Sequence, residues 1–235
     1  DSQNIIEYLY YYNGGGVAIG DINNDGLEDV FFTANQQSDR LYLNKGNLVF
    51  QNITKEAGIF TDNSWSTGVT MDDVNGDGLM DIYVCRVYKF CEKEKSHNLL
   101  YINQGNSKFK EMSKELGLAF SGYSTQSCFL DYDKDGDLDM YLLNHTVHSV
   151  RSYGTTEKRK EKDALSGDLL FENRLKEEGK FVDVTEASGI YNSPLGYGLA
   201  VSCGDVNGDG FTDICIGNDF HENDYLYINQ KNGTF

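Results

Sequence analysis

The sequence predicts an all-β fold, a β-propeller of four-stranded antiparallel blades with cation-binding hairpin loops. Three observations lead there. A nine-residue pattern, D-x-(D/N)-x-D-G-x-x-D, recurs as DINNDGLED (21–29), DVNGDGLMD (73–81), DYDKDGDLD (131–139) and DVNGDGFTD (205–213). Its starts lie 52, 58 and 74 residues apart, a spacing that suits repeated supersecondary units. The chain also holds 16 Tyr, 13 Phe and 25 Gly but a single Pro, a mixture suited to short strands joined by glycine-bearing turns.

The flanks of the loops repeat too. Each loop follows a short apolar stretch: GVAIG (16–20), GVTMD (68–72), SCFL (127–130) and AVSCG (200–204). Each precedes an alternating one: DVFFT, DIYVC, DMYLL and DICIG. Both read as strands, so the loop joins the arms of a hairpin. A third strand follows at RLYLN (40–44), LLYIN (99–103), LLFEN (169–173) and YLYIN (225–229). A fourth follows at LVFQNIT (48–54), KFKEMS (108–113) and KFVDVT (180–185), with Phe235 opening one in the last unit. Between units, TKEAGI, SKELGL and TEASGI read as single helical turns with a Thr or Ser N-cap and a closing Gly.

Four antiparallel strands per unit is the pattern of propeller blades, here spanning about 14–59, 66–118, 124–190 and 198–235. A stack of sandwiches is the competing architecture, but identical hairpin loops in every unit favour radial repetition. The tyrosine-rich IIEYLYYY (5–12) reads as an extra strand within 1–13, or as a closure strand for the last blade. An open propeller would expose blade faces, so the expectation is that these four blades belong to a larger ring.

The loops carry the chemistry. Calcium takes six to eight hard oxygen ligands, and loop positions one, three, five and nine supply side-chain oxygens while position seven offers its carbonyl. The predicted sets are Asp21, Asn23, Asp25, Leu27 and Asp29; Asp73, Asn75, Asp77, Leu79 and Asp81; Asp131, Asp133, Asp135, Asp137 and Asp139; and Asp205, Asn207, Asp209, Phe211 and Asp213. The glycine at position six permits the sharp turn around the ion. An EF-hand is excluded, because its closing acid at position twelve is replaced by Phe32, Val84, Leu142 and Ile216, all within strand patterns. A single such loop would read as an ordinary Asx–Gly turn, but four with one spacing read as about four calcium sites. Magnesium fits less well, since it dehydrates reluctantly and seldom uses all-protein cages. The third loop carries the most charge and is expected to bind most tightly. Calcium here is expected to pin hairpins rather than to catalyse.

The formal net charge of −17 argues against nucleic acid and anionic membranes as partners. No run of 18 apolar residues exists to span a bilayer. The chain starts at Asp1 without Met or a signal peptide, so either processing removed one or the sequence begins later. Five cysteines leave disulfides open, with Cys203/Cys215 and Cys85/Cys91 as the candidate pairs and paired buried thiols as the alternative.

The longest insertion, 145–168, holds a basic cluster at Lys158, Arg159, Lys160 and Lys162. It reads as a solvated loop or as a docking loop for an anionic partner. His145 and His148 lack further ligands at metal spacing, and His221 lies among Asp219, Glu222 and Asp224, which read as turn caps, with a further cation site as the alternative. No G-x-S-x-G elbow, HExxH or phosphate-cradling loop is present, although abundant Asp would hide a glycosidase or lyase pair.

The loops with their flanks, YYNGGGVAIGDINNDGLEDVFFTAN and GNDFHENDYLYINQKNGTF, resemble FG-GAP/VCBS repeats, which also build the head propeller of integrin α chains. The resemblance is closer to the bacterial cartilage-acidic-protein-like propellers, which carry a C-terminal ASPIC/UnbV domain. It covers nearly the whole chain, and the missing ASPIC/UnbV segment fits a fragment reading. It implies a secreted or surface-attached, calcium-stabilised recognition or adhesion module, with a protein partner or surface glycan and a place in a larger surface complex. It transfers no catalytic residues. A carbohydrate-binding or polysaccharide-degrading propeller is the alternative.

Overall fold

The computed structural model describes residues 5, 8–87, 96–146, 157, 161–220 and 222–235. The described residues form an all-β fold of antiparallel sheets. The first sheet holds β1 (Val17–Gly20), β2 (Asp29–Phe32), β3 (Arg40–Asn44) and β4 (Phe50–Asn52). The second holds β5 (Ser66–Asp72), β6 (Asp81–Arg86), β7 (Leu99–Asn103) and β8 (Phe109–Glu111). The third holds β9 (Ser124–Leu130), β10 (Asp139–Asn144), β11 (Leu169–Arg174) and β12 (Lys180–Asp183). The fourth has three strands, β13 (Gly198–Gly204), β14 (Asp213–Asn218) and β15 (Tyr225–Tyr227). Every sheet is a meander in chain order.

The hairpin registers place all four loops alike. The innermost pairs are Gly20 with Asp29, Asp72 with Asp81, Leu130 with Asp139, and Gly204 with Asp213. The first strands pack side by side in the order β1, β5, β9, β13. Hydroxyls stitch them together: Thr67 Oγ1 donates to Ser124 O at 2.8 Å, and Thr70 Oγ1 to Ser127 O at 3.0 Å.

The core consists of apolar layers between neighbouring sheets. Phe31 and Leu41 face Ile82, Val84 and Tyr101; Tyr83 and Leu100 face Met140 and Leu142; Tyr141 and Leu170 face Ile214 and Ile216. Strand alternation sends successive side chains to opposite sheet faces, so each inner sheet feeds two layers.

The linker turns close on glycine. Ile59 N–H bonds Thr54 O and Gly58 N–H bonds Lys55 O, with Gly58 at φ +85°, a Schellman closure. The turns at 113–118 and 185–190 repeat it through Gly117 and Gly189. A Cβ on Gly58 would also lie 2.9 Å from Phe109 O, so glycine is required for approach as well as conformation. The expected Thr caps are corrected: Thr54 Oγ1 accepts Leu41 N–H at 3.0 Å, and Thr185 Oγ1 accepts Leu170 N–H at 3.0 Å. Each hydroxyl ties its turn to the third strand instead of capping the turn.

Among the described residues, the N-terminal tyrosine run forms no strand and does not pair with the fourth sheet; residues 1–4, 6 and 7 lie outside the described residues. Leu9–Tyr12 is a 3-10 turn, held by Tyr11 N–H to Tyr8 O and Asn13 N–H to Tyr10 O. Tyr8 and Tyr10 are buried with Trp65, Val87 and Tyr197, near the start of the first strands and away from the Asp loops. Alternating burial in this run comes from aromatic packing, not from a pleat.

Candidate metal centres in the repeated loops

The twenty predicted positions all lie among the described residues, and the four loops share one hydrogen-bond frame. The position-nine aspartates are almost wholly buried. Asp29 accepts Ile22 N–H on Oδ2 at 3.1 Å and Asn44 N–H on Oδ1 at 2.7 Å. Asp81 does the same with Val74 and Asn103, Asp139 with Tyr132 and Asn173, and Asp213 with Val206 and Asn229. Each therefore ties its loop to the end of the third strand or the residues just after it.

Position one supports the turn. Asp21 Oδ2 accepts Gly26 N–H at 2.7 Å, and Asp73 and Asp205 accept Gly78 and Gly210 N–H at the same distance. Asp131 accepts Gly136 N–H at 3.2 Å. Position five accepts the position-seven N–H: Asp25 from Leu27, Asp77 from Leu79, Asp135 from Asp137 and Asp209 from Phe211. These bonds fix the N–H side of the residue whose carbonyl was predicted as a ligand.

The third loop gathers carboxylates most tightly. One ligand oxygen each from Asp131, Asp133 and Asp139 lies within 4.8 Å of the others. Oxygens on opposite sides of a calcium ion are about 4.8 Å apart, so the cluster has the right span. Asp131 Oδ1 and Asp137 Oδ1 are buried with no hydrogen-bond partner, as ligand oxygens facing a cation would be. An oxygen-only donor set at this spacing suits a hard divalent ion. Asp137, predicted only for its carbonyl, also takes Lys176 Nζ at 3.0 Å on its other side-chain oxygen.

The electrostatics agree. Burial, with the charges of Asp133 and Asp135, pushes the Asp139 carboxyl up to about 8. Burial, with Asp77 and Asp73, pushes Asp81 up to about 7. Asp205 is held below the usual range, first by Gly210 N–H. A bound cation would hold the raised carboxylates in their charged form.

A residue that the sequence reading passed over joins neighbouring loops. The Asn at or just beyond the end of the third strand donates Nδ2 to the position-two carbonyl of the preceding unit: Asn103 to Ile22 O at 2.9 Å, Asn173 to Val74 O at 3.1 Å, and Asn229 to Tyr132 O at 2.7 Å. A second repeated bond runs from Phe109, Phe181 and Phe235 N–H to Ala57, Leu116 and Ser188 O, each at 2.8 Å. The Asn is visible in RLYLN, LLYIN, LLFEN and YLYIN, but its partner is not. The buried Arg86, 3.3 Å from Asp62 and 4.0 Å from Asp39, had no sequence signal at all.

The other candidates resolve differently. His145 is enclosed by tyrosines, with Nε2 3.1 Å from Tyr8 OH and Nδ1 2.9 Å from Thr146 O, so both ring nitrogens are engaged. Cys203 and Cys215 do not face each other: Cys203 pairs with Ile214 and Cys215 with Ser202, a one-residue offset that sends them to opposite faces. Cys203 instead meets Cys128 on β9, and the four described cysteines are free thiols. Cys85 is buried, while Cys91, His148, His221, Lys158, Arg159 and Lys160 lie outside the described residues. Lys162 pairs with Glu186 at 2.7 Å in solvent. A groove of about 1560 Å³ beside β11 and β12 is lined by Phe120, Asp163, Phe171, Asp183 and Glu186 among others. Lys162 holds the Glu186 carboxyl below the usual range, the reverse of a general acid.

Comparison with known proteins agrees with the repeat. An FG-GAP-like repeat matches residues 21–84 and an FG-GAP repeat matches residues 197–228. Cartilage acidic protein 1 of Mus musculus is 25% identical over 211 residues, covering 88% of this chain and 29% of the relative. The Xenopus tropicalis and Homo sapiens proteins of that name are each 24% identical, over 206 and 208 residues, again covering 88% of this chain, and 29% and 28% of their own lengths. The chain thus spans less than a third of the curated relatives it matches. Among the described residues no helix is long and apolar enough to cross a membrane. The chain thus carries FG-GAP-type repeats at residues 21–84 and 197–228 and is distantly similar to cartilage acidic protein 1.

Proposed function

We propose that this chain is part of a calcium-stabilised β-propeller that works outside the cell as a recognition or adhesion module. The convergent oxygens of Asp131, Asp133 and Asp139, set in a hydrogen-bond frame that all four loops share, carry this reading. Each loop would hold one calcium ion, with side-chain oxygens from positions one, three, five and nine and the carbonyl of position seven. The ions would be structural, neutralising the loop carboxylates and fixing the surface between them. The ligand is a protein or a surface glycan, and the module sits in a secreted or surface-attached assembly. Similarity to cartilage acidic protein 1 supports that setting. A charge of −17 disfavours nucleic acid. A polysaccharide-degrading propeller is less well supported, because the carboxyls that burial raises furthest, Asp39, Asp81, Asp139 and Asp168, do not line the groove.

Thermal unfolding with calcium, with EGTA, and with EGTA plus excess magnesium tests the metal reading. A site holding calcium at about 100 times its Kd adds roughly 2.7 kcal/mol, or about 5–10 °C in a chain of this size. A calcium-specific rise of that order is expected. Identical midpoints in all three buffers would reduce the loops to ordinary turns.

A further inference from the structure

Each inner sheet sends alternate side chains of its first strand to the two apolar layers it separates. On β9, Phe129 packs in the layer shared with the second sheet, while Leu130 and, beyond the strand, Tyr132 pack in the layer shared with the fourth. Cys128, two residues before Leu130, therefore faces the fourth sheet. From the other side, Cys203 on β13 packs into that same layer. The two sulfurs meet there. Cys203 donates both its thiol and its backbone N–H to Cys128 Sγ, while the Cys128 thiol reaches Phe129 O at 3.7 Å.

The contact occupies a place that every junction uses. Cys128 stands three residues before the first aspartate of its loop, Asp131, and Cys203 two before Asp205. The same two places hold Ala18 and Met71 at the first junction, both packed in the layer between the first and second sheets. They hold Thr70 and Phe129 at the second. The third junction alone has a thiol on both sides. Cys85 cannot compete for either sulfur, since it packs in the layer on the other face of β9.

We propose that Cys128 and Cys203 close into a disulfide that clamps the third sheet to the fourth under oxidising conditions. The oxidant is a small-molecule disulfide, such as oxidised glutathione. One cysteine loses its proton and attacks a sulfur of the oxidant, whose S–S bond breaks to release one thiol and leave a mixed disulfide on the protein. The second cysteine, losing its proton in turn, attacks the protein sulfur of that mixed disulfide and releases the second thiol. Two protein thiols are thus oxidised to one cystine, and one disulfide is reduced to two thiols. The bridge closes a loop of about 75 residues that contains the 145–168 insertion, and cross-links stabilise most when the loop they close is long. It joins the strands that lead into the third and fourth Asp loops, with or without a bound cation.

Equilibrating the full 235-residue chain in reduced and oxidised glutathione, both folded and during refolding, tests it. The refolding arm removes burial as a barrier to the oxidant. After alkylation and digestion without reductant, mass spectrometry should find the Cys128 and Cys203 peptides joined. With EGTA present, so that calcium plays no part, the oxidised chain should melt about 10 °C above the chain in dithiothreitol. Cys128→Ser and Cys203→Ser should each abolish the cross-link and this redox-dependent rise, and stay within about 2 °C of the reduced wild type. The wild-type peptide map decides even if a variant folds poorly. Recovery of all five cysteines as thiols in both arms, a main bridge that involves Cys85, Cys91 or Cys215, or a Cys128–Cys203 bridge that leaves the midpoint unchanged would each overturn the proposal.

Discussion

Asn173 donates its Nδ2 to the carbonyl of Val74 at 3.1 Å, a bond between residues 99 apart in the chain. The same amide holds Leu138 O at 3.0 Å, while its Oδ1 accepts Leu175 N–H and its own N–H reaches Asp139. One side chain thus joins the second loop, the third loop and the turn after β11. Asn173→Ala would leave two carbonyls without their donor and should lower stability by about 3 kcal/mol in urea denaturation. Asn44→Ala, at the half-buried equivalent that bonds no neighbouring unit among the described residues, should cost about 1 kcal/mol. Equal losses at the two positions would mean that the junction bond contributes nothing.

The position-nine and position-five aspartates should separate folding from metal binding. Asp81 presents one oxygen to Val74 N–H and the other to Asn103 N–H, so Asp81→Asn turns an amide donor toward a buried donor. A loss of about 2 kcal/mol is expected even in EGTA. Asp77 is exposed; its Oδ1 accepts Leu79 N–H, which Asn can still supply, and its Oδ2 accepts Asn75 Nδ2 in solvent, where water replaces a lost partner at little cost. Asp77→Asn should leave the EGTA midpoint unchanged and reduce the calcium-induced rise. Unfolding scans with and without calcium decide both.

The loops were legible because their spacing survives insertions between them, and the strands because apolar alternation flanks every loop. What escaped depends on relations between units. The third-strand Asn repeats plainly, but its partner lies one unit back, and only sheet packing shows which carbonyl it reaches. Tyr8 to Tyr12 alternates like a strand, yet Leu9–Tyr12 coils into a 3-10 turn whose rings pack among other aromatics. Cys203 and Cys215 stand symmetrically about the loop in sequence, but the hairpin pairs Gly204 with Asp213, and that one-residue offset separates them. Register and long-range contact are three-dimensional facts that a linear pattern only constrains.

The third loop should be the tightest calcium site. Asp131, Asp133 and Asp139 converge there, while the other loops place Asn at position three. Asp133→Asn should therefore weaken the tightest step in isothermal titration calorimetry by about tenfold, the effect of one fewer charged ligand. The sites of the other three loops should keep their affinities. If Asn75→Asp instead leaves the second loop no tighter than before, ligand charge does not set the ranking.

His145 should give the protein an acid-sensitive anchor. Burial holds its imidazole down at about 4, against an ordinary value of 6.5, although the Thr146 carbonyl acts in the opposite direction. The rings of Tyr8, Tyr10 and Tyr123 pack around it; Nδ1–H donates to Thr146 O, which leaves Nε2 to accept Tyr8 O–H. A histidine whose folded value is depressed is protonated more readily in the unfolded chain. Its contribution is therefore complete above pH 6.5 and is lost as pH falls from 6.5 to 4, about 3 kcal/mol in all. Asp168 pulls the other way, since burial raises it to about 7 and its contribution grows as pH falls from there. Comparing wild type with His145→Gln cancels that term. The stability difference between the two should shrink by about 3 kcal/mol between pH 6.5 and 4 in urea denaturation, whereas parallel pH profiles would mean that His145 is not held neutral by the tyrosine cage.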